Sequence, residues 1–361
     1  MKVYHILEDY SKRSGGVRTV VNDLIHHLPF DKEVITTKKD LEDNFDYLKS
    51  FNSDNGWKFS KPFKNHLKTI SSNRDSIYHI HGAWMYPQYI AAKTAIKNKI
   101  AFVLTIHGMY EPWLWQEGYI KKKVYFEFLV KNNFSKANVL HAITNDEANQ
   151  FKKIFKNKTR IEVIPNLISF KEFKPINEIN TDDDEYILFL GRIDPKKGIK
   201  MLIEVYSKIK GKKPKLKIAG PDNIYKLELI ELTSKLDTQK EIEFLGFVQG
   251  EEKLNLLKNA KALITPSFSE VIGMVNLEAA IAKTPVLTTY STGLLPKWNQ
   301  EGGLLINPVR EELEKALINV FAWSKKERDS RGEALYKFTF ENYSWEKNKN
   351  KWVELYNNLN H

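Results

Sequence analysis

Short apolar runs closed by Gly, Pro or His recur between stretches of helical character, and this alternation constrains the fold more than any other feature. In the first half the runs cover residues 3–7, 77–80, 101–106, 139–143 and 161–164. In the second half they cover 187–190, 216–218, 242–244, 262–264 and 285–287. Such runs read as buried parallel strands, and strands alternating with helices imply doubly wound α/β domains. At 361 residues, 42% of them hydrophobic, the chain is long enough for two such cores. Residues 168–185 carry Lys, Asn, Pro and an acidic run without apolar period, and read as the linker. The expected division is 1–168 and 169–342, with a closing helix at about 343–361 that crosses back onto the first domain. Two such domains facing each other form a cleft at the carboxyl ends of their strands, where open sheets bind ligands.

Composition removes several classes. There is no cysteine, which excludes disulfides and thiolate metal sites and fits a reducing compartment. The opening residues 1–9 read as a strand that meets charge at Glu8 rather than as a signal peptide. No apolar run approaches the ~20 residues of a membrane span, so a cytoplasmic protein is expected, either free or peripheral on the inner face of the membrane. The net charge of +11 is uneven: residues 1–168 hold 26 Lys and Arg against 17 Asp and Glu, while 169–361 hold 30 against 28. A basic first half suits an anionic membrane surface. Zinc-finger spacing and RNP-type aromatics are missing, so no nucleic-acid partner is expected.

The chemistry concentrates at Ser269-Glu-Val-Ile-Gly-Met-Val-Asn-Leu-Glu-Ala-Ala, which follows a buried strand and a polar loop. Glu270 and Glu278 lie eight positions apart, and Gly273 opens a helix between them. A strand, a loop and a helix N-terminus make an anion site, because unpaired N–H groups and the helix dipole face the loop. A carboxylate there fits a ligand that is also rich in hydroxyls, as a sugar joined to a phosphate is. The strand at 187–190 runs into Gly191-Arg-Ile-Asp-Pro-Lys-Lys-Gly, where Arg192 and Lys197 converge as a pair suited to a diphosphate. Gly15-Gly16 precedes a helix and lets backbone approach a ligand closely, without the spacing of a P-loop or a dinucleotide fingerprint.

Other candidates weigh less. His107 ends a strand in Thr105-Ile-His107-Gly108 and could meet a sugar hydroxyl. His79 and His81 are read as pointing to alternate faces of their strand, which places them poorly to share a metal. Asp182-Asp183-Asp184 precedes its strand and lies in the linker, so it reads as solvated and supports no metal requirement. Three lysines at 121–123 interleave with aromatics near Trp113, Trp115 and Tyr119, as either a surface helix or a membrane-facing one.

In this order, these residues resemble the retaining glycosyltransferases of family 4, which have the GT-B fold. The likeness runs from Gly15-Gly16 through His107, Ile164-Pro-Asn166, the Gly191–Gly198 loop, Ile218-Ala-Gly-Pro, Phe244-Leu-Gly-Phe-Val and residues 266–280 to Tyr343-Ser-Trp-Glu. The segment around His107 is similar to members that build bacterial surface polysaccharides.

The resemblance implies a hexosyltransferase that uses a nucleotide diphosphate sugar and a glycan or lipid-linked acceptor, without metal or other cofactor. Arg192 and Lys197 would hold the diphosphate, Glu278 the ribose, and Glu270 the sugar hydroxyls. Backbone at Gly273, Met274 and Val275 would meet sugar and phosphate. Phe247 and Val248 would border the base, Gly15 and Gly16 would lie beneath the diphosphate, and His107 would sit beside the sugar, with Asn166 also in the substrate-binding set. Two departures stand out: Gly108 replaces the family's frequent Asp, and Val271-Ile272 replaces the usual Gly-Phe. An epimerase or phosphorylase on the same architecture, or a non-catalytic glycan-binding subunit, remains the alternative.

Overall fold

The computed structural model describes residues 1–110, 119–156, 159–171 and 185–359. The chain forms two compact units, Met1–Leu167 with Asn348–His361, and Ile168–Lys347. The acidic run 182–184, Trp113, Trp115 and the side chain of Tyr119 lie outside the described residues.

The first unit is built on a seven-stranded sheet: β1 (Lys2–Ile6), β2 (Asp31–Thr36), β3 (Leu48–Ser50), β4 (Ser76–His81), β5 (Ala101–Thr105), β6 (Val139–Ala142) and β7 (Ile161–Val163). Its order is β3-β2-β1-β4-β5-β6-β7, with every pair parallel. The second unit carries six strands: β8 (Tyr186–Leu190), β9 (Lys215–Ala219), β10 (Ile242–Gly246), β11 (Leu263–Thr265), β12 (Val286–Thr289) and β13 (Leu304–Ile306). Their order is β10-β9-β8-β11-β12-β13, again parallel throughout. Central strands such as β4 and β8 are buried along their whole length, because helices cover both faces.

Three strands escape the apolar-run reading. β2 begins Asp-Lys-Glu, and only its second half is buried. β3 and β13 are three residues each, too short to stand out from a loop.

Helix starts are set by local polar groups. Ser60, Thr144 and Asn223 accept from the amides of Phe63, Glu147 and Lys226, which satisfies donors that no helical carbonyl can reach. The last helix, Trp345–Asn357, belongs to the first unit from Asn348 onward. Its Trp352 and Tyr356 are buried against the first sheet, Trp352 with its ring centre 4.4 Å from that of His141.

Strand order decides where a site can lie. In the first sheet the chain reverses its direction of growth between β1 and β4, and in the second between β8 and β11. Loops leaving the carboxyl ends at such a switch diverge to opposite faces and leave a crevice. Glu8 and Gly82 follow β1 and β4. Gly191–Lys197 and Pro266–Glu270 follow β8 and β11.

Candidate functional site

In the second unit the two loops at the switch point are forced together by a glycine. Gly198 has φ +72, and a Cβ there would lie 2.2 Å from the carbonyl oxygen of Pro266. Only glycine tolerates that approach. The amide of Phe268 donates to the carbonyl of Lys196 at 2.8 Å and links the same loops a second time. Lys197 is thereby brought to Glu270, and its ammonium donates to Glu270 Oε2. The pair closes a small pocket whose other walls are Phe189, Leu190, Thr265, Ser267, Gly273, Val275 and Asn276.

Each wall has an anchor. Glu270 N donates to the carbonyl of Ser291 at 3.0 Å, which fixes the glutamate's backbone. Gly273 is the N-cap of the helix Met274–Ile281. Asn276, buried on that helix, accepts from the Thr265 hydroxyl at 2.7 Å. Burial pushes the Lys197 ammonium down to about 8, with Lys196 and Arg192 adding to the shift and Asp194 opposing it. Arg192 is exposed on the same loop and close enough for its charge to be felt at Lys197. Fixed cations beside a helix start form a cradle for an anion, and Glu270 supplies an acceptor for hydroxyl donors.

The remaining second-unit candidates form a separate cluster. Phe247 is exposed and Val248 buried just beyond edge strand β10. The helix Gly250–Asn259 follows them directly, and its Lys253 lies 2.7 Å from Glu278 Oε2. Glu278 therefore faces a cation on the preceding helix and is not part of the pocket lining.

The first-unit candidates occupy several strand ends. Gly15 has φ +62 and caps the helix Gly16–His27. Asn166 follows β7, half-buried. His107 follows β5 with φ +56, and its Nε2 lies 3.0 Å from His81 Nδ1. The amide of Gly108 donates to Glu147 Oε1 at 2.7 Å, and Glu147 Oε2 accepts from Ile143 N at 2.7 Å. A buried carboxylate thus ties together the loops after β5 and β6.

The reading of His79 and His81 as opposed in direction is corrected. Residues two apart in a strand share a face, and these two rings stand with centres 4.0 Å apart. With His5 they bring three ring nitrogens within 4.8 Å of one another, the spacing of a possible metal site. Hydrogen bonds already use both nitrogens of His79 and both of His81. A cation would have to displace those bonds, so the cluster fits a hydrogen-bonded network better than a ligand set.

Sequence reasoning missed several residues now seen around these candidates. Gly198, Asn276 and Lys253 act through tertiary contacts that no local spacing announces, whereas Glu147 had the local signal of Thr144 three residues before an acid at a helix start. Glu8, directly after β1, had a signal: an acid at the end of a buried run. Its carboxyl accepts from Gln88, and burial raises its pKa above the ordinary range.

Residues 14–172 match the family described as Glycosyltransferase Family 4, and residues 170–338 match Glycosyl transferases group 1. An uncharacterized 41.2 kDa protein in the cps region of Klebsiella pneumoniae is 25% identical over 358 residues, covering 94% of this chain and 96% of that one. An uncharacterized glycosyltransferase of Methanocaldococcus jannaschii is 32% identical over 182 residues, or 48% of this chain. The match spans 45%, about half, of that relative's length. The solved structure of Anabaena Alr3699/HepE in complex with UDP has a TM-score of 0.77 at 15% identity, over 99% of this chain and 100% of that one. The same protein has also been solved with UDP-glucose.

Proposed function

The chain belongs to the group 1 and family 4 glycosyltransferases and has their GT-B fold, and from that premise we propose a specific reaction. A hexosyl group passes from a nucleoside diphosphate sugar to a hydroxyl of a glycan or lipid-linked glycan, with its anomeric configuration retained. The observation that best supports this reading is the half-buried Lys197–Glu270 pair at the switch point of the second sheet.

In this reaction the bond from the anomeric carbon to the diphosphate oxygen breaks, and the acceptor oxygen bonds to that carbon on the same face. The acceptor's proton passes to the departing phosphate. Lys197 and Arg192 stabilise the charge that develops on the leaving group, in the place a divalent cation takes elsewhere. An arriving diphosphate draws Lys197 toward itself and keeps it protonated, since a nearby anion raises an ammonium's pKa. Glu270 is then released to accept from sugar hydroxyls. Backbone at Gly273, Met274 and Val275 holds sugar and phosphate, Glu278 the ribose, and Phe247 with Val248 the base. On the first unit, Gly15 and Gly16 meet the diphosphate and His107 the donor sugar. Asn166 is assigned to the substrate-binding set.

The Anabaena neighbour's UDP and UDP-glucose complexes make uridine nucleotides the first donors to try. The Klebsiella relative in the cps region supports a role in bacterial surface polysaccharide assembly. A peripheral place on the inner membrane face is supported by the helix Tyr119–Tyr125 and the turns after it. There Ile120, Val124 and Phe128, spaced four apart, are 76%, 53% and 81% exposed, with Lys123 exposed alongside. Among the described residues no helix is long and apolar enough to cross a membrane.

The test is release of nucleoside diphosphate from UDP-, GDP- and ADP-sugars, with and without glycan acceptors and with EDTA present. Release that rises with acceptor and survives EDTA, giving product of unchanged anomeric configuration by NMR, is the expected result. Tight donor binding with no release points to a binding subunit and ends the transferase reading.

A further inference from the structure

His107, set against the donor sugar in the reaction above, ends a line of imidazoles whose other members that reaction leaves unused. His5 Nδ1 lies 3.1 Å from His81 Nε2, and His81 Nδ1 lies 3.0 Å from His107 Nε2. The rings stack from β1 through β4 to the turn after β5, with centres 5.4 and 5.3 Å apart. His5 and His81 are 2% and 0% exposed, so water does not compete for these bonds.

A second line beside it can be read proton by proton. His141 Nε2 lies 2.8 Å from the carbonyl of Ile164, and a carbonyl only accepts, so this nitrogen carries the proton. His141 Nδ1 then accepts from the Thr105 hydroxyl at 2.8 Å. Thr105 Oγ1 accepts from His79 Nε2 at 2.7 Å, and His79 Nδ1 accepts from the Tyr356 hydroxyl at 2.6 Å. One carbonyl therefore fixes the tautomer of two neutral rings.

The same accounting constrains the first line. Burial holds His5 and His107 down to about 3 and His81 well below its usual range, with neighbouring histidines adding to the shift at His81 and His107. The ionisable neighbours are Lys32 beside His5, His79 beside His81, and His141 beside His107. A neutral His81 must donate at one nitrogen and accept at the other. The proton order thus runs one way along the whole line. Either His5 donates to His81 and His81 to His107, leaving the proton of His107 on Nδ1, or both bonds run in reverse.

We propose that His81 and His5 are positioning residues for His107: their hydrogen bonds hold its ring in one orientation and one tautomer. Nδ1, the ring atom outside the line, then meets the donor sugar with a single hydrogen-bonding role. The inference rests on the reading of His107 as a sugar contact. It goes beyond that reading in giving residues of β1 and β4 a part in how His107 meets the sugar.

The test is imidazole ¹⁵N spectroscopy of the full chain, with His107 assigned through His107→Gln. His81→Phe keeps an aromatic ring in the slot and removes both nitrogens. Expected in the unaltered chain is one neutral tautomer of His107 across about pH 5.5 to 8, whereas in His81→Phe the tautomers average and the ring titrates nearer its ordinary ~6.5. Turnover falls roughly tenfold in that variant with donor KM little changed, the order of one lost hydrogen bond. An averaged His107 in the unaltered chain, or an unchanged single tautomer in His81→Phe, overturns the proposal.

If His81→Phe does not fold, His5→Leu cuts only the inner bond, and His5→Asn offers an amide where Nδ1 stood. Averaging in the first and recovery in the second support the relay, and a single tautomer in His5→Leu overturns it. A His107→Ala chain that keeps full transfer, beside spectra that still show the ordered line, sinks the sugar-contact reading instead.

Discussion

The two sheets share parallel topology and a switch point, yet they handle polarity in opposite ways. In the first unit the polar groups go inward: His5, His79, His81 and His141 stand in the core as neutral rings, in two hydrogen-bonded lines, His5–His81–His107 and Tyr356–His79–Thr105–His141. In the second unit the corresponding strands are apolar, and the polarity sits at their ends as the ion pair Lys197–Glu270. Burying an imidazole costs little once it is neutral and satisfied, whereas a buried charge needs a partner within reach. The first unit can therefore thread a network between strands, while the second must bring two loops into contact. Gly198 permits that contact.

Acid should separate the units most. An unfolded histidine takes up a proton near ~6.5, but the folded His5 and His107 do so only near 3 and His141 near 4. Between those values the unfolded state binds more protons, so stability falls as pH falls, by about 2 kcal/mol per histidine at pH 5. Glu8, raised by burial, opposes this in part. Lys197, lowered to about 8, acts on the alkaline side, where stability rises from pH 8 toward the unfolded value of 10.5. Hydrogen exchange at pH 7.5 and 5 should show the first sheet loosening well before the second. Equal loosening of both would break the contrast.

Next in size is Lys197→Ala, expected to lower kcat/KM by on the order of 10²–10³ while the melting profile persists. Turnover near that of the unaltered chain would falsify the role given to the pair.

Gly198→Ala attacks the loop contact rather than the charge. Its Cβ meets the Pro266 carbonyl at a positive φ, so a loss of about 3 kcal/mol, confined to the second unit, should appear in denaturant melts. A melt unchanged from the unaltered chain would mean the loops do not depend on this close approach.

The smallest expected effect tests the first unit's network. Tyr356→Phe leaves His79 Nδ1 as a buried acceptor without its donor, at a cost of about 1–2 kcal/mol. His79→Phe made together with it should cost less than the two changes added, because the orphaned acceptor is gone. Strict additivity would argue that the Tyr356–His79 bond carries no coupling.

Much of this was legible in the residues alone. Central strands buried on both faces carry apolar runs, so β5 and β8 announced themselves, and β1 and β4 did so despite their histidines, while β9 kept a shorter run between its lysines and its exit. β2 was hidden by its charged first half, and β3 and β13 by their length. Lys197, Glu270 and Gly273 were legible because a strand end, a glycine and a helix start recur at fixed spacing. The partnership of Lys197 with Glu270 was not, since 73 residues separate them. Neither was Lys253 on Glu278, which depends on two helices packing together. His79 and His81 show a different failure: the period-2 rule applied correctly puts both on one face, and their partners then come from other strands.

Local sequence was enough to establish two parallel sheets, the helices over them and the loops that bear the charged groups. These follow from periodicity, caps and turn residues, which act over a few positions. Strand order alone decided which loop meets which, and so which cation faces which carboxylate. It also decided that histidines 76 and 26 residues apart stand in one line. Side chains interact through space over a few ångströms, and only the completed fold brings positions so distant along the chain within that range.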